Sequence, residues 1–105
     1  MTPTSKLYVV VRTTLSAGLK AAQACHAARA FASFYPDLEK SWFEVSNNLV
    51  VLEHDNLDDL ADRLERHGLA LSRFHEPDLD GQLTSFCVEP EARRHVARMS
   101  LACSA

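Results

Sequence analysis

The sequence predicts a single α/β domain, residues 1–105, with a four-stranded mixed β-sheet flanked by helices on both faces. Three observations carry that expectation. Apolar or β-branched runs of strand length occur four times along the chain. The segments between the first three carry helical spacing, and strands alternating with helices are the mark of a three-layer α/β/α arrangement. The 105 residues, 47% of them apolar and 24% charged, suit one modest core.

The first strand is Lys6–Arg12, whose continuous apolar run fits burial on both faces. Thr14 or Ser16 then offers a helix N-cap, and Ala17 to Phe34 reads as a long helix with eight alanines, the best helix former. So many small side chains let such a helix lie close to a sheet. Tyr35-Pro36-Asp37 stops it, and Pro36 opens a short second helix carrying Leu38, Trp42 and Phe43. After a turn at Ser46–Asn48, Leu49–Glu53 is expected as a second buried strand. His54-Asp55-Asn56 caps a third helix, Leu57–His67, with apolar residues at Leu57, Leu60, Ala61 and Leu64, and Gly68 stands as its C-terminal cap. Leu69–Phe74 is the third strand, Glu76–Gly81 a polar turn and Leu83–Val88 the fourth strand. Pro90 opens a last helix to about Arg98, and Leu101–Cys103 forms a short final edge. The alternation argues for a mainly parallel sheet, while the short link before the last strand allows one antiparallel hairpin.

The composition excludes several classes. A net charge of −3 argues against a strongly basic, non-specific nucleic-acid binder, though not against a local basic patch. No apolar run approaches the ~20 residues that cross a bilayer, and residues 1–6 carry no signal-peptide core. Three scattered cysteines, Cys25, Cys87 and Cys103, do not make a disulfide scaffold, so a cytoplasmic protein with reduced thiols is expected. Cys25 and Cys87 read as small core residues. No zinc-binding spacing occurs, and the Asp78-x-Asp80 stretch lacks the central glycine of a calcium loop, so neither metal nor cofactor is expected.

The candidate chemistry gathers in two places. Arg12, Thr13, Gly18 and Lys20 surround the first strand-to-helix junction, where open α/β sheets bind ligands and helix N–H groups favour anions. The alternative is an ordinary capped junction with surface cations. Gln23 and His26, three residues apart, share a helical face among alanines; the alternative there is hydrogen-bonded packing. Asp78, Asp80 and Thr84 mark a second polar group, on a loop that hands over to a strand; the alternative there is a solvated acidic turn.

The run Arg12-Thr-Thr-Leu15, then Gly18-Leu-Lys-Ala-Ala-Gln23-Ala-Cys-His26-Ala27, resembles the type-2 peptidyl-tRNA hydrolases, in which an apolar strand, R-x-D-L and G-K-x-A-A-Q-x-x-H-A follow one another. Trp42, Asp78 and the stretch from Thr84 to Pro90 match later landmarks, so the resemblance spans nearly the whole chain. Two positions depart from it: Leu19 stands at the family lysine, with Lys20 one place further on, and Thr14 stands at the family aspartate. The resemblance implies metal-independent hydrolysis of the ester joining a peptide to the 3′ end of tRNA, recycling tRNA from stalled translation. It would make Lys20, Asp78 and Thr84 catalytic, and Arg12, Thr13, Gly18, Gln23 and His26 binding residues. The alternative it leaves is a weakly active or inactive relative that binds RNA ends or a protein. A homodimer is compatible with the sequence.

Overall fold

The computed structural model describes residues 1–104. Its elements are β1 (Lys6–Arg12), α1 (Ala17–Phe34), α2 (Pro36–Val45), β2 (Asn48–His54), α3 (Leu57–Arg66), β3 (Leu71–Glu76), β4 (Gln82–Val88) and α4 (Arg93–Val96), with one-turn 3₁₀ helices at Pro77–Leu79 and Pro90–Ala92. The four-stranded α/β architecture is the expected one.

The strands lie in the order β2-β1-β4-β3. β1 alternates sides strictly, as strand geometry requires. Leu7, Val9 and Val11 join Ala24, Ala27, Phe31 and Trp42 in one core, under α1 and α2. Tyr8 and Val10 face the other way, into a core with Leu57, Leu60, Leu64, Phe86 and Val96 under α3 and α4. Small residues at Ala24 and Ala27 let α1 sit close against the sheet.

Three expectations, two of them about the sheet, need correction. The sheet is not mainly parallel: β1 and β2 pair in parallel, but β4 runs antiparallel to both β1 and β3. One reversed strand was allowed for; placed between two others, it makes two antiparallel ladders out of three. Nor is β2 a buried strand. It is the sheet edge, and only Leu52 in it is fully buried, while Leu49 stays 49% exposed. An apolar run does not tell one covered face from two. Cys25 likewise lies exposed, because the buried stripe of α1 runs through Gln23, Ala24, Ala27 and Phe31 and misses it; Cys87 is a core residue as expected.

Boundaries moved at two places. β3 begins at Leu71 because the groups before it bond elsewhere. Leu69 N–H closes the end of α3 on Leu64, and Ala70 exchanges bonds with Glu89. The last helix stops at Val96 rather than Arg98, because the chain then turns to pair with the β2 edge: Glu53 N–H donates to Ser100, Ala102 N–H donates to Val51, and Leu101 bridges Leu52.

Candidate active site

The carboxyl ends of β1, β2 and β3, the start of β4 and the N-terminus of α1 meet at one end of the sheet. Ser16 caps α1, its hydroxyl accepting from Leu19 N–H. That cap sets the phase of the helix, so Gln23, two turns in, points down onto β4.

Gln23 is the centre of the site. It is 1% exposed, and its side-chain groups are bonded to two different strands. Thr84 Oγ1 donates to Gln23 Oε1 at 2.6 Å, and Gln23 Nε2 donates to Glu76 at 2.9 Å. Ser85 Oγ donates to the Gln23 carbonyl at 2.8 Å. Two consecutive β4 residues thus point to the same helix, which regular alternation forbids. The cause is a β-bulge. Phe74 pairs with Ser85 but His75 pairs with Leu83, leaving Thr84 as the extra residue on β4. The bulge re-aims Thr84 from the α3 side to the α1 side, a device common beside active sites.

His26 stacks on Phe74 of β3 with centroids 4.5 Å apart. It is exposed, on the helical face it shares with Gln23. Lys20 lies one turn before Gln23 but reaches the other way. Its Nζ bonds Glu53 Oε2 on β2 at 2.7 Å, with the two side chains only 11% and 19% exposed. Glu53 also accepts from Cys103 N–H, and the Lys20 hydrogen bond, acting against partial desolvation, holds its carboxyl below the usual carboxylate range. Leu19, at the family lysine position, is 42% exposed.

The Arg12 guanidinium folds back on the sheet. It donates twice to the Leu83 carbonyl, at 3.1 and 2.6 Å, and once to Asp55 O, with Asp58 3.8 Å away. Thr13 donates its N–H to His54 and lines, with Glu53, Asp55 and Arg98, a cavity of about 420 Å³. Gly18 is exposed, and a Cβ there would meet nothing within 4 Å. Asp78 sits exposed in the 3₁₀ turn after Glu76 and makes no hydrogen bond among the described residues. The loop is closed beneath it by Gly81 N–H on the Glu76 carbonyl, with Asp80 and Gly81 both at positive φ.

The structure therefore brings Gln23 and Thr84 into contact, sets His26 beside them, and carries Arg12 to the residue preceding Thr84. Lys20 is directed to β2 instead. Sequence reasoning missed Glu76 and Glu53, the carboxylates that hold Gln23 and Lys20. Their signal was weak: each is a charged residue closing an apolar strand at the sheet end where the candidates gather. The Cys87 thiol takes no part; burial pushes it far up from its usual value.

A protein-family model described as peptidyl-tRNA hydrolase PTH2 matches residues 5–101. The search of curated proteins gave no significant match.

Proposed function

The chain belongs to the peptidyl-tRNA hydrolase PTH2 family, and from that membership we propose that it releases peptide from tRNA by hydrolysing the ester at the tRNA 3′ end. The observation that carries this reading is the 2.6 Å bond between Thr84 and Gln23. It joins two of the retained landmarks of the family pattern, 61 residues apart, at the sheet end where α/β folds bind ligands.

Ester hydrolysis needs a water delivered to the carbonyl carbon, a group to take its proton, and positive or hydrogen-bonding charge where the oxyanion develops. In this proposal Asp78, a carboxylate with no competing partner, orients the water and accepts its proton. Thr84 donates its hydroxyl proton to Gln23 and, being fully buried, serves by fixing the Gln23 side chain rather than by touching the substrate. Glu76 fixes the Gln23 amide in the orientation that makes this arrangement work. Lys20 supplies positive charge when it leaves Glu53, and the open surface at Gly18 lets the 3′-terminal nucleotide approach the free N–H groups of α1.

A second reading, an RNA-end binder with weak turnover, is favoured by one observation: the only lysine near the site is held by Glu53 while Leu19 occupies the family lysine position. The decisive experiment follows ester release from a defined N-acetylated aminoacyl-tRNA, with parent, Asp78→Asn, Lys20→Ala and Leu19→Lys. Hydrolysis above the spontaneous rate that Asp78→Asn abolishes supports the enzyme. Retained tRNA binding without release, restored to turnover by Leu19→Lys, supports the binder. Release that is indifferent to all three substitutions overturns the assignment of the site.

A further inference from the structure

We propose that a cleft at the opposite end of the sheet is a second nucleic-acid contact, which holds backbone phosphates of the RNA whose 3′ end enters the candidate active site; this rests on the peptidyl-tRNA reading. The cleft has a volume of about 880 Å³ and is bordered by the start of β1, the end of α3 and the segment around α4. Its cationic wall is Lys6, Arg93 and Arg94. His67 and His95 lie against each other within it, their rings tilted by 35° with centroids 4.4 Å apart. Hydroxyls of Thr2, Thr4 and Ser5 form the rim, in a turn closed by Thr2 N–H on Ser5 Oγ and pinned by Asn48 on the Pro3 carbonyl.

The distribution of ion pairs is the argument. RNA affinity comes mainly from cations that are free to replace the counterions of phosphates. Around the first strand-to-helix junction the two cations of the candidate site are not free: Arg12 has Asp58 and Lys20 has Glu53, and among the described residues only Arg98 of the adjoining cavity has no carboxylate within 4 Å. In the cleft the situation is reversed. Among the described residues, the side chains of Lys6, Arg93 and Arg94 have no carboxylate within 4 Å and no hydrogen-bond partner. Among the described residues, Glu91 is the single carboxylate lining it. Burial first, and then the like charges of His67, Arg94 and Arg63, hold the His95 imidazole below its usual value. A chain of net charge −3 that leaves three cations unpaired in one cleft has a surface suited to a polyanion. Hydroxyl donors and imidazole edges complete the donor set that phosphate oxygens take. One RNA can reach both ends: the molecule is 35 Å long, which at about 3.4 Å per base pair is only about ten base pairs of duplex.

The test uses the full chain and deacylated tRNA. Binding is measured over a salt series for the parent and for Arg93→Gln/Arg94→Gln, two exposed positions whose loss should leave the melting curve unchanged. Two lost phosphate contacts should lower the slope of log affinity against log salt by about 1.5–2 and weaken binding several-fold. Ester release from a minimal substrate, an N-acetylated aminoacyl-adenosine without the tRNA body, should be unchanged, whereas KM for whole N-acetylated aminoacyl-tRNA should rise. An unchanged slope overturns the cleft even if ester release is intact, in which case the enzyme reading survives. Inorganic phosphate that binds the parent and not the double variant, with tRNA affinity the same in both, marks a site for free phosphate and likewise overturns the RNA contact. If the parent neither binds tRNA nor releases ester, it is the peptidyl-tRNA reading that falls.

Discussion

Replacing Gln23 by Ala should cost this protein about 3–5 kcal/mol, a large share of the stability of a domain this size. The figure follows from what the side chain touches. Truncation removes one buried methylene, about 0.8 kcal/mol. It strands the Thr84 hydroxyl, which is 0% exposed and has no other partner, and a buried unsatisfied group costs about 1–3 kcal/mol. It also removes the bond to the Glu76 carboxylate, taken at about 1.5 kcal/mol because Glu76 is only half-buried and water can replace part of it. For a chain near 100 residues the sum corresponds to a fall in Tm of about 12–20 °C. Urea denaturation of Gln23→Ala, Thr84→Val and the double variant checks it. The double-mutant cycle should give a coupling of about 1–3 kcal/mol, since the two residues share one buried bond. His26→Ala, which removes an exposed ring from the face of Phe74, should cost about 1 kcal/mol or less. A Gln23→Ala loss below about 1 kcal/mol, or zero coupling with Thr84, would refute the claim that this network is sealed and structural.

Val9→Asp puts an unpaired charge between β2 and β4 at a fully buried site and should prevent folding, while Leu49→Asp on the exposed edge should change stability by about 0.5 kcal/mol or less; circular dichroism melts separate the two. Glu53→Gln should flatten the acid limb of the stability curve. The folded carboxyl titrates below its unfolded value, so its contribution is present above about pH 4.3 and is lost as pH falls through the folded value; the glutamine variant has no such contribution to lose. Gly18→Ala should raise stability by about 0.5–1 kcal/mol, because the position is helical and a Cβ there is unopposed, yet lower ester release if the tRNA end packs on that surface; equal or higher turnover would remove Gly18 from the binding surface.

The sequence by itself determined the elements and the helix that carries the site. β1 and α1 have the predicted bounds because their signals are local: a β-branched run, a Ser16 cap, an alanine-rich stretch and a Tyr-Pro stop act within a few residues. The i, i+3 spacing that put Gln23 and His26 on one face is equally local, and both do lie over β3 and β4. The partners of these residues were not legible. Lys20 sits where a phosphate-facing cation was expected, but which carboxylate it finds depends on β2 lying beside β1, so that Glu53 comes within reach. The edge position of β2 was hidden for the same reason: its apolar run, Leu49–Leu52, is as apolar as a central strand, and strand order is set by which pairings bury the most surface, not by the run itself. Thr84 gives the sharpest case. Alternation along β4 from Phe86 and Val88 assigns it to the α3 side, and only a one-residue slip against β3 turns it to Gln23. That slip is a property of two strands in register, and neither strand's sequence contains it; it is fixed because the turned hydroxyl finds a buried acceptor on α1, where the opposite face would offer it only Leu and Phe.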